Sequence, residues 1–342
     1  MKIEEFDYPL PNSLIAQYPS PRRGESRLMV LHREGGAIEH RAFQELPDFL
    51  HDGDLLVTNN TRVLPVRLIG RKETGKRCEV LLIPPRNGTK SVWEALVKDS
   101  KKMKPGTRVH FGDDFYGVVE EVKEGKGKIR FSENAEIIDH LQKIGRIPLP
   151  PYIKREDEPL DRERYQTVFA ETDGSIACPT AGLHFNLDLL QSLRAHGVNR
   201  TSITLHVGIG TFTPVRTKEI EDHTMESEWI EIPPKAEQEI VRTKQTGRRV
   251  IGVGTTTTRA LESFVDSEGQ IQSGSGFTSL FIRPPYRFRV IDGLITNFHL
   301  PKSTLLMLVS ALAEKDFLMK AYQEAVEKKY RFYSYGDAML IL

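Results

Sequence analysis

Three histidines in apolar surroundings, His184, His206 and His299, are the first residues that could carry chemistry. Near neutral pH an imidazole can act as an acid or as a base. Three histidines could also hold a metal ion, but none of the HxH, HxxH or HExxH spacings typical of metal sites occurs here. The residues therefore do not favour a metal site. His184 could act as an acid or a base, and a hydrogen-bonded core histidine is the alternative that the residues alone favour.

Two loops rich in glycine or threonine could bind a ligand through backbone N–H groups and hydroxyls. Residues 208–211 follow a predicted strand, but Thr213 stands where a dinucleotide-binding fingerprint needs its third glycine. Residues 254–259, GTTTTR, begin a predicted helix, where a carboxylate, a phosphate or ribose hydroxyls could bind. No Gly-Lys-Ser/Thr sequence of a P-loop is present, so a redundant helix cap is the alternative for this segment.

Amide and carboxylate side chains also follow predicted strands. Asn60 and Arg62 in NNTR, and Asn297 in TNFHLPKS, could hold a polar ligand or a phosphate. Glu226 and Glu228 share a face if their segment is extended, and paired carboxylates can divide acid and base roles. The alternatives are an asparagine-rich turn with a surface arginine and a solvated start of a strand.

Two short runs are strongly basic, although 48 Lys and Arg residues nearly balance 47 Asp and Glu residues overall. Residues 62–77 hold six basic residues against one Glu, and residues 98–108 hold five against one Asp. Both runs lie in or beside a β-rich segment, where a basic patch would suit phosphate contacts. A solvated charged face is the alternative.

Alternating strands and helices around a β-rich insertion are expected to position these groups. Between residues 64 and 132 about six short strands predict a small antiparallel barrel or sandwich. The predicted domains are 1–63 plus 148–342, of α/β type, and an inserted domain, 64–147. In α/β sheets and barrels ligands bind at the carboxyl ends of strands, where the polar loops lie. The α/β strands are predicted at 26–32, 54–60, 201–207 and 248–254, and the helices at 41–50, 186–197, 234–246, 257–264, 303–313 and 316–328.

Composition excludes several classes of protein. With 342 residues, 39% of them apolar and 28% charged, the chain is expected to be globular and soluble. Cys78 and Cys178 stand a hundred residues apart, which excludes a disulfide framework and a Cys/His zinc spacing. The N-terminus shows no signal-peptide pattern, and no apolar run is long enough to span a bilayer. A cytoplasmic protein with no membrane contact is therefore expected.

Eight motifs occur in order along the chain. They are NNTRVLP, PLPPYI, RYQTVFA, PTAGLHF, TLHVGIGTF, GTTTTRALES, DGLITNFHLPKSTLLMLVSAL and YRFYSYGDAML. Together they resemble the S-adenosylmethionine:tRNA ribosyltransferase-isomerase family of queuosine biosynthesis. The resemblance implies a large barrel-like α/β domain with an inserted small antiparallel β-barrel. It also implies transfer and isomerisation of the ribosyl group of S-adenosylmethionine onto 7-aminomethyl-7-deazaguanine at the wobble position of tRNA. The product would be epoxyqueuosine, with release of adenine and methionine.

The resemblance implies that the polar loops form the functional site. Catalytic roles are predicted for His184, Glu228 and His206, with S-adenosylmethionine as co-substrate, no permanently bound cofactor, no metal and a monomeric chain. Cys178, Glu226 and Pro285 depart from the family's usual alanine, histidine and glycine. The residues predicted to bind S-adenosylmethionine are Gly208, Gly210, Thr211, Thr255, Thr256, Arg259 and Asn297, and those predicted to meet tRNA or its base are Asn60, Arg62 and His299.

Overall fold

A computed structural model describes most of the chain. The described residues are 1–85, 91–98, 103–112, 114–132, 136–212, 217 and 219–342, with the backbone alone described at 211 and 212. Their strands are β1 (Arg27–His32), β2 (Ala37–Ala42), β3 (Leu55–Asn59), β4 (Thr61–Val63), β5 (Arg67–Lys72), β6 (Arg77–Ile83), β7 (Val92–Val97), β8 (Arg108–His110), β9 (Tyr116–Lys123), β10 (Lys126–Phe131), β11 (Thr172–Ser175), β12 (Asn199–Leu205), β13 (Glu228–Ile232), β14 (Val250–Val253), β15 (Gly274–Thr278), β16 (Gly293–Asn297) and β17 (Ala338–Ile341). Their α-helices are α1 (Ile137–Ile144), α2 (Pro159–Arg164), α3 (Leu187–Ala195), α4 (Pro234–Gln245), α5 (Thr255–Ser263), α6 (Thr304–Ala313) and α7 (Lys315–Glu327).

A nine-stranded mixed sheet forms the larger part, in the order β15-β13-β12-β3-β14-β16-β17-β1-β2. Strands β12, β3, β14 and β16 run parallel at its centre. Both faces of these strands are covered, which explains the apolar sequences of β3 and β14, whose residues are all buried. Because the four strands are parallel, their carboxyl ends meet at one edge of the sheet. The loops after them therefore lie together.

A closed six-stranded antiparallel barrel, β10-β7-β6-β5-β8-β9, lies between β4 and α1 in the chain. Its strands alternate buried and exposed residues, as a small barrel filled by side chains requires. Trp93, Phe111, Phe115 and Phe131 are among the apolar side chains in its interior. The predicted α/β class with an inserted antiparallel β-barrel is confirmed. The predicted boundaries of the two domains stay predictions.

Several elements differ from those expected. Residues 43–49 form a 3₁₀-helix instead of an α-helix, with Pro47 inside it, and the preceding residues pair as β2. Strand β17 was not predicted, because its four apolar residues carry no alternating pattern, yet it pairs with both β1 and β16. The large sheet ends at β15 and β2 within the described residues. No helix in that part of the chain is long and apolar enough to cross a membrane.

Candidate active site

A cavity of about 560 Å³ lies at the carboxyl ends of β14 and β16. We call it the strand-end cavity. Gly254 stands between β14 and α5 with φ +94°, a conformation that disfavours every residue with a Cβ atom. The turn brings the first residues of α5 into the cavity wall. The polar side chains of that wall include those of Thr180, Thr255, Thr256, Asn297 and His299.

The four threonines after Gly254 divide into two pairs. The hydroxyls of Thr257 and Thr258 donate to the carbonyls of Val253 and Gly254, at 2.7 and 3.2 Å, so these two residues fix the turn. Thr255 and Thr256 line the cavity instead. The buried Oγ1 of Thr256 has no hydrogen-bond partner among the described residues. Since buried polar groups are normally hydrogen-bonded, Thr256 marks a place for a polar ligand atom.

Arg259 on α5 forms a buried ion pair with Glu228, the first residue of β13, through Nη1 and Oε2. The other carboxylate oxygen of Glu228 accepts from the backbone N–H of Gly208 at 3.0 Å, and Arg259 Nε donates to the carbonyl of Leu280 at 2.9 Å. Both oxygens of Glu228 are thus engaged. The catalytic role predicted for Glu228 stays a prediction, and the contacts of its carboxylate with Gly208 and Arg259 suit the positioning of these two groups.

His184 is also enclosed. Its Nδ1 lies 2.8 Å from Ser26 Oγ, and its Nε2 accepts from Asn297 Nδ2 at 3.0 Å. Asn297 also accepts from Thr180 Oγ1 at 2.9 Å. Burial lowers the pKa of His184 to about 3, so the ring stays neutral at pH 7. These contacts are those of the core alternative, since His184 orients Asn297 and does not line the strand-end cavity, and its catalytic role stays a prediction.

His299 lines the strand-end cavity with a neutral ring. Burial lowers its pKa to about 3, and Nε2 lies 2.8 Å from Thr296 Oγ1. Its backbone N–H donates to the hydroxyl of Tyr322 at 2.9 Å, and its carbonyl accepts from Tyr8. The ring is thus held in place by its neighbours, and it can offer a hydrogen bond but not a positive charge.

A second cavity, of about 700 Å³, lies between the barrel and the loop after β12. We call it the barrel-side cavity. Its wall includes His206, Gly208 and Glu226 from the larger part and Lys123 and Lys126 from the barrel. Val207 lines both cavities, so a single residue lies between them at that point. Lys126 Nζ and Glu226 Oε1 approach to 3.9 Å across the barrel-side cavity.

His206 is held by the ends of two strands. Its Nδ1 lies 2.8 Å from Thr61 Oγ1, and its ring stacks on Trp229 with centroids 5.0 Å apart. A Cβ atom at Gly174 would lie 2.7 Å from the imidazole, so any other residue at this position would clash with the ring. Of the three predicted catalytic residues, only His206 lines either the barrel-side or the strand-end cavity.

The remaining predicted residues fall into different places. Asn60 accepts from Thr204 Oγ1 at 2.7 Å and donates to Glu171 at 3.2 Å, so it joins loops and does not line either cavity. Arg62 is exposed and donates to the carbonyl of Ala170 at 2.9 Å. Gly210 is half-buried beside Glu226. The side chain of Thr211 lies outside the described part of the chain.

The metal alternative gains no support from the described residues, since no three His, Cys, Asp or Glu side chains among them are grouped to hold an ion.

Cys178, which departs from the family's usual alanine, lines the strand-end cavity. It is buried, which raises the pKa of its thiol above the ordinary value.

Sequence reasoning missed Tyr333. This residue lines the strand-end cavity, and its carbonyl accepts from Asn297 Nδ2 at 3.3 Å. Its φ of +71° is unusual for a tyrosine, and such backbone strain is concentrated at functional sites. The sequence signal is the motif YRFYSYGDAML, which is rich in aromatic residues.

Comparison with known proteins places this chain, with its α/β sheet and inserted β-barrel, in a class of tRNA-modifying enzymes. A family model described as "Queuosine biosynthesis protein" matches residues 3–341. The chain belongs to this family, that of the S-adenosylmethionine:tRNA ribosyltransferase-isomerases.

Relatives of that name match the whole chain. The proteins of Halothermothrix orenii and Syntrophotalea carbinolica are 52% and 51% identical, each over 100% of both chains. The crystal structure of an S-adenosylmethionine tRNA ribosyltransferase from Thermotoga maritima is 38% identical and covers 99% of this chain and 100% of its own, with a TM-score of 0.56. The likeness therefore extends over both the sheet and the barrel.

Proposed function

We propose that the protein transfers and isomerises the ribosyl group of S-adenosylmethionine onto 7-aminomethyl-7-deazaguanine at the wobble position of tRNA. The product would be epoxyqueuosine-tRNA, and adenine and methionine would leave. S-adenosylmethionine is a co-substrate in this proposal, and no resident cofactor takes part. We also propose that the protein acts as a monomer, and a tRNA substrate favours the cytoplasm.

The observation that carries the proposal is the unpartnered hydroxyl of Thr256 in the wall of the strand-end cavity. A cavity of about 560 Å³ lies within the usual range for small-ligand sites. The N-terminus of α5 opens into it, and backbone N–H groups there favour a carboxylate or ribose hydroxyls. We therefore assign the strand-end cavity to S-adenosylmethionine, with Thr255, Thr256 and Asn297 as its polar contacts.

The barrel-side cavity is assigned to the base of the tRNA. Three lysines and three glutamates line it, so its wall offers both hydrogen-bond donors and acceptors to the edge of a base. They are Lys123, Lys126, Lys128, Glu94, Glu121 and Glu226. Val207 faces both cavities, so an amine in the barrel-side cavity would approach a ribosyl group in the strand-end cavity at this residue. Such an arrangement supplies proximity, which can account for a large part of a rate enhancement.

The reaction needs proton transfers at three places. A carbon beside the sulfonium must lose a proton, adenine leaves more readily when protonated, and the attacking amine must be neutral. His206 is our candidate for the proton transfer at the amine, because its ring lies in the wall of the barrel-side cavity. His184 and Glu228 are positioning residues in this scheme, since each has both of its polar atoms engaged.

Nucleoside mass spectrometry tests the proposed reaction. Purified protein is mixed with S-adenosylmethionine and tRNA carrying 7-aminomethyl-7-deazaguanine, and the tRNA is then digested. We expect the mass of epoxyqueuosine together with free adenine and methionine. Binding of tRNA without a new nucleoside would overturn the proposal and leave a tRNA-binding module.

A further inference from the structure

A row of four exposed side chains crosses the outer surface of the barrel. In the strand registers Arg77 on β6 pairs with Arg71 on β5, Arg71 with His110 on β8, and His110 with Tyr116 on β9. Residues paired in this way project from the same face of a sheet. We call Arg77, Arg71, His110 and Tyr116 the barrel row.

The row is unfavourable for the barrel's own stability. Like charges directly opposite each other on neighbouring strands repel. Neither Arg71 nor Arg77 has an ion pair with any residue that the structure describes, and Arg71 donates to the carbonyl of Gly75 at 3.1 Å. The nearby carboxylate of Glu73 pairs with Arg108 at 3.8 Å. An exposed arginine pair without a carboxylate leaves both guanidinium groups available to an anion from another molecule.

The barrel brings these side chains together by close packing of its strands. At Gly70, next to Arg71, a Cβ atom would lie 2.7 Å from the carbonyl oxygen of His110, so only glycine allows β5 and β8 to approach this closely. The two arginines and His110 line a groove of about 620 Å³. Arg146 lines it as well and pairs with Glu156 at 3.3 Å.

The aromatic end of the row indicates the kind of anion. Tyr116 is 38% exposed, and the guanidinium of Arg108 lies 4.8 Å from the centre of its ring. The ring of His110 is 5.7 Å away. Exposed aromatic rings next to cations are typical platforms for nucleic-acid bases, whereas an acidic protein would need only the charges.

We propose that the barrel row binds the tRNA substrate, with backbone phosphates on Arg71 and Arg77 and a base on Tyr116. The identity of this RNA rests on the proposed function. Arg77 begins β6, whereas Ile83 at its other end lines the barrel-side cavity. The two residues are six positions apart along the strand, a separation of roughly 20 Å, so the row contacts nucleotides away from the modified base.

Binding of labelled full-length tRNA at several KCl concentrations tests this proposal. The double variant Arg71→Gln/Arg77→Gln is compared with Arg194→Gln/Arg242→Gln, which removes two exposed arginines from α3 and α4. We expect the barrel variant to bind tRNA about tenfold more weakly, with a salt slope shallower by about 1.5, because two phosphate contacts are lost. The control variant should bind like the wild type.

Two more variants separate binding from folding. Arg71→Lys/Arg77→Lys keeps both charges and should restore most of the affinity, whereas Tyr116→Leu should weaken binding about fivefold or more without changing the salt slope. Unchanged affinity and slope in the glutamine variant would overturn the proposal, and so would an equal loss in the control.

The failure of this proposal can be told apart from that of the proposed function. A wild-type protein that binds tRNA through the row but forms no new nucleoside would refute only the reaction. Ribosyl transfer with an unaltered KM for tRNA in the glutamine variant would refute only the row.

Discussion

Arg259 on α5 and Glu228 at the start of β13 form a buried ion pair, with 6% and 4% of their side chains exposed. Glu228 also holds the N–H of Gly208, which lines the barrel-side cavity, while α5 begins at the strand-end cavity. The pair therefore connects structural elements of both cavities. Arg259 and Glu228 were both predicted as site residues, and in our proposal their contact makes them positioning residues.

Replacing Glu228 by alanine should destabilise the fold strongly. The change leaves the Arg259 guanidinium buried without its carboxylate, a loss that typically costs about 3–5 kcal/mol. Urea unfolding of the wild type and the variant measures this difference in the free energy of unfolding. As a matched control, Glu231→Ala removes an exposed carboxylate from the same strand and should change stability by less than about 0.5 kcal/mol. A Glu228→Ala variant as stable as the wild type would contradict the buried pair.

Stability should fall as the pH falls below 6.5, because His184 and His299 are neutral in the folded protein. Burial lowers the pKa of each to about 3, whereas the unfolded chain takes up these protons near pH 6.5. The unfolded state therefore gains up to two protons, and the free energy of unfolding declines by up to about 2.7 kcal/mol per pH unit between pH 6.5 and 3.

Urea unfolding between pH 5 and 7 measures this slope above the range in which most carboxylates titrate. His184→Gln should reduce the slope by about half, since one of the two neutral imidazoles is gone. A wild-type stability that stays level from pH 7 to 5 would show that neither histidine is buried as described.

Replacing Thr256 by valine should weaken the binding of S-adenosylmethionine. Valine keeps the shape of threonine but lacks the hydroxyl that has no partner within the protein. A hydrogen bond to a charged ligand group contributes about 1.5–3 kcal/mol, so we expect a Kd at least about tenfold higher by calorimetry. Thr243→Val is the matched control, because the Thr243 hydroxyl donates to the carbonyl of Glu239 within α4. Equal affinities of Thr256→Val and the wild type would remove Thr256 from the site.

The general architecture was predictable because apolar strands and the turn residues that follow them can be recognised from short stretches of sequence. The loop after β14 and the loop containing Asn297 were located from glycine, threonine and asparagine residues following apolar strands, and both line one cavity. The roles of His184 and Glu228 were not predictable in this way. Their partners, Ser26 and Arg259, lie 158 and 31 residues away in the sequence, and only the folded chain shows that their polar atoms are engaged.

His206 is the histidine whose replacement should affect turnover most directly. Its ring lines the barrel-side cavity and is oriented by Thr61 Oγ1 and by stacking on Trp229. If it moves a proton at the amine of the tRNA base, His206→Gln should lower kcat about a hundredfold or more, because general acid–base catalysis contributes at least that much. Thr61→Val should have a smaller effect, since it removes only the orienting contact.

Single-turnover formation of the new nucleoside, with both substrates saturating, separates this loss from weaker binding. His196→Gln, which changes an exposed histidine after α3, should leave the rate unchanged. A near-normal rate in His206→Gln would exclude this histidine from proton transfer. His299 would then be the remaining cavity histidine to test, and its lowered pKa restricts it to acting as a neutral hydrogen-bonding group at pH 7.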